Sequence, residues 1–274
     1  MRYVKLSPTK AAAWVDCPRR FFYSYVERRP VKSTWAHFVY GNAVHRCLKQ
    51  WFDLEPDQRT TDVIEQAITK SWSDDGFRDV DHSHAWRDKA IAVVLAYVAN
   101  IDPNLEPLAS ERTLAFKDDA CGFVMEGRVD RLDEDGSSVM VVDYKTGKSV
   151  PSPDDVRGSE ALAMYAVMVQ RVLGRHCSSV ALHHVPSGNV VSWHHSQESL
   201  TRQVDRMGAI ASDIRVAEDT WESTDHDDQA LDDLFPPKPG GLCGFCDFWN
   251  VCAAGQGHAS RREPWEGLPE LEQV

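Results

Sequence analysis

Two aspartates and a lysine on one stretch of chain have the residue types and spacing for work on a phosphate. They lie in Glu126-Gly127-Arg128-Val129-Asp130-Arg131 and in Val141-Val142-Asp143-Tyr144-Lys145-Thr146-Gly147, on either side of Asp133-Glu134-Asp135-Gly136, a hairpin turn signal. With a four-residue loop over Glu134–Ser137, Asp130 faces Val141. Asp143 then lies one diagonal step away on the same face, at a backbone separation of roughly 7–8 Å. Lys145 is two residues further on and shares that face. The strand around Asp143 is apolar on both sides (Val139 and Val141; Met140 and Val142), the pattern of a central strand. Carboxylates at its end lose water and need a cation or hydrogen bonds in compensation. Oxygen donors suit Mg²⁺ or Mn²⁺, which would polarise a phosphoryl oxygen and lower the pKa of a bound water. Lys145 would stabilise charge on the phosphate or orient the attacking water. The plain alternative is a surface hairpin with ordinary solvated charges.

Two neighbouring patterns need separating. Thr146-Gly147-Lys148-Ser149 ends like a nucleotide-binding loop, but the position five before Gly147 is Val142 rather than glycine, so that reading is rejected. Gly41-Asn42-Ala43-Val44-His45 puts a glycine one helical turn before a histidine, which lets another part of the chain approach the imidazole closely.

A second constellation is Cys243-x2-Cys246-x5-Cys252. Three thiols within ten residues form a metal-ligand pattern. The fourth ligand is open among Cys17, Cys47, Cys121, Cys177 and His258, and zinc and an iron–sulfur cluster both fit the local spacing. Seven cysteines with no leader-like apolar stretch after the basic N-terminal residues point to metal binding in a reducing cytoplasm rather than to disulfides.

The elements that must position these residues follow from periodicity. Helices are expected from Pro8 to about Asp16 with Ser7 as N-cap, through Phe21–Val26, and over Gly41–Phe52, Thr61–Trp72, Ala85–Ile101, Val156–Leu173 and Ser199–Ala217. Strands are expected over Glu111–Phe116, Phe123–Leu132, Ser138–Tyr144, Ser179–Val185 and Val190–His194, the last two joined at Pro186-Ser187-Gly188-Asn189. The order predicts an α/β fold with a mixed sheet. One domain over residues 1–255 is expected. It comprises a helical part to about 105, a sheet core over about 106–217, an acidic segment and Pro/Gly linker over about 218–241, and the cysteine cluster. The tail 256–274 is expected to fray.

The chain has 274 residues and a formal charge of −12, with 42% hydrophobic and 26% charged residues, a globular profile. Glu218–Asp233 holds eight acids and no Lys or Arg, whereas Cys17–Lys32 carries five basic residues against Glu27. The balance argues against a protein that coats nucleic acid, without excluding a local basic groove. The longest apolar run, Ala161–Val169, is too short to span a bilayer, so no membrane association is expected.

Taken together, these motifs resemble the PD-(D/E)XK nuclease superfamily, and within it the RecB/AddB-type exonuclease domains that carry a [4Fe-4S] cluster. That pattern runs G-x-x-x-H, G-x-x-D-R, D-Y-K-T-G, Q-x-x-x-Y, C-x2-C-x5-C. Gly41–His45, Gly127–Arg131, Asp143–Gly147 and Cys243–Cys252 match in that order, and Cys17 in Cys17-Pro18-Arg19-Arg20-Phe21 matches the N-terminal cluster ligand. The resemblance implies a restriction-endonuclease-like core. It implies Mg²⁺ or Mn²⁺ on His45, Asp130 and Asp143, a catalytic Lys145, and a cluster on Cys17, Cys243, Cys246 and Cys252 that staples the chain ends. Glu111 matches an acidic residue often found ahead of the hairpin. Tyr165 fits the family tyrosine, but Ala161 stands where the glutamine belongs, with Glu160 beside it. Arg19, Arg20, Arg28, Arg131 and Tyr165 are the expected DNA contacts. The expected activity is hydrolysis of DNA at ends or single strands during repair or recombination, with a helicase as a reasonable partner because no motor motif is present. The rivals are a weakly active DNA-binding subunit and a zinc-stapled structural protein.

Overall fold

The computed structural model describes residues 2–31 and 34–271. Lys32, the last residue of the basic stretch, and the final three residues of the tail lie outside the described residues. Internal contacts divide the chain into two units. One comprises residues 1–33, 115–127 and 201–263; the other comprises 34–114, 128–200 and 264–274.

The second unit carries most of the sheet and its helices. Helices α3 (Ala36–Asp53), α4 (Thr61–Ser71) and α5 (Val80–Val98) present apolar faces to one core, where Val44, Leu48, Ile64, Ile68 and Val94 are fully buried. Strand β4 (Ser138–Lys145) pairs antiparallel with the second half of β3 (Phe123–Asp135) and parallel with β5 (Ser179–His184). Strand β6 (Asn189–His194) then pairs antiparallel with β5. The full strand order is β1-β3-β4-β5-β6, with β2 (Ala109–Asp118) beside β3. This is the expected mixed sheet flanked by helices.

The hairpin before β4 departs from expectation in a way that matters. Asp135 pairs with Ser138, so the loop is the two residues Gly136-Ser137 rather than four, and Gly136 takes a φ of 60°. A two-residue hairpin turn requires that left-handed backbone, and glycine supplies it without strain. Leu132, not Asp130, therefore faces Val141. The register moves by two residues, not one, so the face of every side chain is preserved. Continuing it by one step from the Arg131–Val142 pair sets Asp130 directly opposite Asp143.

The expected single helix Val156–Leu173 is two, α6 (Pro153–Gly158) and α7 (Glu160–Leu173). Ser159 ends the first and caps the second by accepting from the Leu162 N–H, and Ser152 forms a capping box with Asp155. The described part of the tail, to residue 271, is docked rather than frayed. Leu268 is buried, and His82 and Trp86 of α5 hydrogen-bond the Leu268 and Pro269 carbonyls at 2.9 and 3.0 Å.

The first unit gathers the N-terminal helices and the C-terminal cysteine segment. A three-residue strand β1 (Val4–Leu6), unexpected from sequence, pairs parallel with the start of β3. Helix α1 (Pro8–Asp16) starts at the Ser7 cap, as expected. After the short α2 (Pro18–Phe21) the chain forms a π-helical turn over Phe22–Val26. Much of the acidic segment, for which no element was expected, is helical. Helix α8 (Gln197–Glu222) runs on into it, and α9 (Asp228–Leu234) follows with Asp227 as its N-cap. Phe235 is completely buried among Trp14, Phe22 and Trp221.

Candidate active site and thiol pocket

The site is assembled from the middle of β3 and the end of β4, beside α3. Gly41 and His45 sit one turn apart on α3. A Cβ on Gly41 would lie 3.1 Å from Thr146 Oγ1, so glycine is what lets this helix approach the end of β4. That places His45 Nδ1 at 3.4 Å from Asp130 Oδ1 and 3.6 Å from Glu111 Oε1. One donor atom each from His45, Glu111 and Asp130 lies within 4.8 Å of the others. Asp130 is held by its second oxygen, Oδ2, which accepts the Tyr144 N–H at 2.9 Å. On the adjoining strand Asp143 Oδ2 is 2.7 Å from Lys145 Nζ. All five residues belong to the same unit.

The electrostatics are those of a cation site. Burial alone would lower the His45 pKa, but hydrogen bonding to Asp130 and Glu111 and the nearby Asp143 charge push it up to about 10. Burial raises the Asp143 carboxyl, Lys145 opposes that rise, and the Asp130 charge reinforces it. Three carboxylates crowding one imidazole favour a proton on that ring or a metal in its place, and His/Glu/Asp donors fit a hard divalent ion with some tolerance for nitrogen. Tyr165 on α7 belongs to this region too: its phenol pKa is raised first by burial and then by the charges of Asp143 and Asp130.

Glu111 adopts a φ of 50°, left-handed backbone that a non-glycine side chain enters at a cost of about 1–3 kcal/mol. Sequence reasoning placed it only by analogy, because no periodicity signals a strand residue turned out of its alternation. Arg128 escaped notice entirely. Its Nε lies 2.5 Å from Glu111 Oε2. His184 escaped notice as well; its ring hydrogen-bonds Ser187 Oγ and the Gly147 carbonyl, both at 2.7 Å, and so fixes the loop that follows Lys145.

Two of the expected DNA contacts are placed elsewhere. Arg131 is 2% exposed; its guanidinium forks onto Asp133 at 2.8 and 3.1 Å, reaches Tyr144 Oη at 3.2 Å and lies over the Phe52 ring. It therefore braces Tyr144, the residue between Asp143 and Lys145, from inside the core and is not available to a phosphate. Arg19 is likewise buried, bonded to Asp232 and, at 2.9 Å, to the Phe235 carbonyl. Arg20 and Arg28 remain exposed.

In the other unit, Cys17, Cys243, Cys246 and Cys252 line a single pocket with Arg20, Tyr23, Phe248 and Trp249. Of the open candidates for a fourth thiol ligand, only Cys17 is there. Cys47 and Cys177 are buried elsewhere, and Cys121 packs against Gly208. The sulfurs face backbone N–H groups: Cys17 accepts from Lys238 at 3.5 Å, Cys243 from Gly240 at 3.3 Å and Cys252 from Gly255 at 3.4 Å, and the Phe248 amide bears on Cys246. Pro236, Pro237 and Pro239 have no N–H, so this segment spends two of the few it has on sulfur. Gly244, between the first two cysteines of the cluster, is required because a Cβ there would lie 2.6 Å from the Ser260 carbonyl oxygen. Amides aimed at clustered sulfurs suit thiolates that hold a metal or an iron–sulfur cluster.

Among solved structures, the chain is similar to a "Putative exonuclease" from Eubacterium rectale, with 11% identity over 92% of this chain and 94% of that one and a TM-score of 0.51. It also aligns with the structure of SSO0001, with 13% identity over 93% of this chain and 88% of that one, at a TM-score of only 0.38. The likeness to the first concerns the fold alone. No curated protein matches the sequence. A family model matches residues 5–253, which include the helix bearing His45, the hairpin bearing Asp130, Asp143 and Lys145, and all four pocket cysteines. By that match the chain belongs to the PD-(D/E)XK nuclease superfamily.

Proposed function

We propose that this protein is a divalent-metal-dependent deoxyribonuclease, an exonuclease acting on DNA ends or single strands in repair or recombination. The convergence of His45, Glu111 and Asp130 within 4.8 Å, with the Asp143–Lys145 pair on the neighbouring strand, carries the reading. His45, Asp130, Asp143 and Glu111 would hold Mg²⁺ or Mn²⁺, and an ion there polarises a phosphoryl oxygen and acidifies a bound water. The chain's own groups do the rest. Asp130 is oriented by the Tyr144 amide, so it presents Oδ1 to the interior of the site. Lys145, half-exposed and tethered to Asp143, offers its ammonium to charge developing on the scissile phosphate. Tyr165 and the exposed Arg20 and Arg28 are the candidate DNA contacts that remain, and Ala161 leaves Tyr165 without the glutamine that accompanies it in the family pattern. The four pocket cysteines would hold a [4Fe-4S] cluster joining the N-terminal helices to the C-terminal segment. No described helix is long and apolar enough to cross a membrane.

Cleavage of end-labelled single- and double-stranded DNA by anaerobically purified protein in Mn²⁺, and none by Lys145→Ala, is the expected result. Absence of cleavage by either, with iron retained, would favour the second reading suggested by Ala161, a DNA-binding subunit that acts with a helicase or another repair protein. A colourless protein containing zinc would overturn the cluster assignment alone, since an iron–sulfur cluster absorbs near 400 nm.

A further inference from the structure

Glu111 serves two cations. Its Oε1 faces the buried side of the site, 3.6 Å from His45 Nδ1; its Oε2 faces outward, 2.5 Å from Arg128 Nε. The Glu111 side chain is 9% exposed and that of Arg128 is 65% exposed, so the pair spans from the interior of the site to solvent. Arg128 precedes Asp130 by two residues on β3 and shares its face. It thus stands beside the carboxylates on the solvent-exposed side of the pair. Asp143 is occupied in the same way by Lys145. Glu111 and Asp143 are each paired with a more exposed cation.

We propose that Arg128 is a latch on Glu111 in the metal-free protein and a phosphate-binding residue in the loaded one. This rests on the nuclease reading and extends it to a residue outside the family pattern. A divalent ion among His45, Glu111 and Asp130 takes over the Glu111 charge and loosens its hold on the guanidinium. The freed fork is planar, permanently charged and already exposed beside the carboxylates, which suits it to a phosphate oxygen of the strand being cut. Metal and DNA then assist each other through one side chain: metal frees Arg128 for phosphate, and phosphate draws Arg128 away from the metal ligand. Such coupling is reciprocal by thermodynamic necessity.

The test uses the full-length protein. Mn²⁺ binding without DNA is measured by calorimetry, and binding of a fluorescent single-stranded oligonucleotide is measured by anisotropy with and without Ca²⁺. Arg128→Ala should tighten Mn²⁺ binding about fivefold. It should weaken DNA binding in Ca²⁺ while leaving binding without a cation unchanged, and should reduce the salt slope in Ca²⁺ by about one. Arg128→Lys, which keeps the charge without the fork, should restore the slope but only part of the affinity. Unchanged Mn²⁺ affinity in Arg128→Ala, or an equal loss of DNA affinity with and without Ca²⁺, overturns the latch. Asp130→Asn separates this from failure of the nuclease reading. If that variant binds Mn²⁺ as well as the wild type, the metal site itself is wrong; if it loses Mn²⁺ while Arg128→Ala changes nothing, only the latch falls.

Discussion

His45 concentrates the chemistry of the site in one proton. In the metal-free protein it stays protonated up to about pH 10, because Asp130 and Glu111 outweigh the burial that would neutralise it. The folded pKa lies above the unfolded one, so the stability this charge contributes is complete below about pH 6.5 and is lost as pH rises toward 10. A metal must displace that proton. Its apparent affinity should therefore rise with pH, by about tenfold per unit while His45 is the only group titrating, and calorimetry in buffers of different ionisation enthalpy should detect the released proton. An imidazole among the donors also predicts that Mn²⁺ supports activity at least as well as Mg²⁺, which parallel assays would decide. Lys145→Ala should lower kcat by about 10²–10⁴ without weakening calorimetric Mn²⁺ affinity, since the lysine neutralises the Asp143 carboxylate and does not hold the ion. His45, Asp130, Asp143 and Lys145 were legible in the sequence because motif spacing carries them. Arg128 was not: an arginine beside a motif looks like any solvated charge until the strand brings Glu111 to it.

At the scale of the element, the hairpin shows why part of the fold could be read and part could not. Alternating apolar residues and an acidic turn announced β3 and β4, and the face shared by Asp130, Asp143 and Lys145 followed from periodicity. The loop length did not, because Asp-Glu-Asp-Gly-Ser-Ser allows several turns and the pairing of Asp135 with Ser138 selects the shortest. Gly136→Ala places a Cβ on left-handed backbone with no neighbour within 4 Å, so it should cost only about 1 kcal/mol in denaturant melts, without loss of activity. Arg131 behaves differently. Arg131→Ala strands Asp133 in the core and should cost about 3–5 kcal/mol, whereas a hydrophobic replacement of both partners should recover most of that. The strand β1 was missed because three residues are too few to show alternation, and the α6–α7 break was missed because Ser159 reads as a helix interior until its capping role is seen.

For the molecule as a whole, the cysteine pocket joins residues more than two hundred positions apart. Closing so long a loop costs little more than closing a short one, and the free energy of filling the pocket becomes folding free energy. Cys17→Ser should therefore lower both iron content and Tm, and a variant that keeps both would remove Cys17 from the ligand set. The docked tail was illegible for a related reason: Leu268 carries no local signal, and its partners His82 and Trp86 lie far earlier in the chain. Both cases belong to a wider feature. The chain passes between its two units five times, so each unit is built from three separated stretches. Neither can be excised as a contiguous fragment, and no single proteolytic nick would release one from the other. On the ribosome, residues 34–114 would emerge with the apolar surface that later receives Leu268 still uncovered, and Cys17 would wait for thiols made more than two hundred residues later. The nascent chain would therefore expose apolar surface and thiols without their partners until residues near 270 have emerged, and its yield in a cell should depend on chaperones that hold it until then.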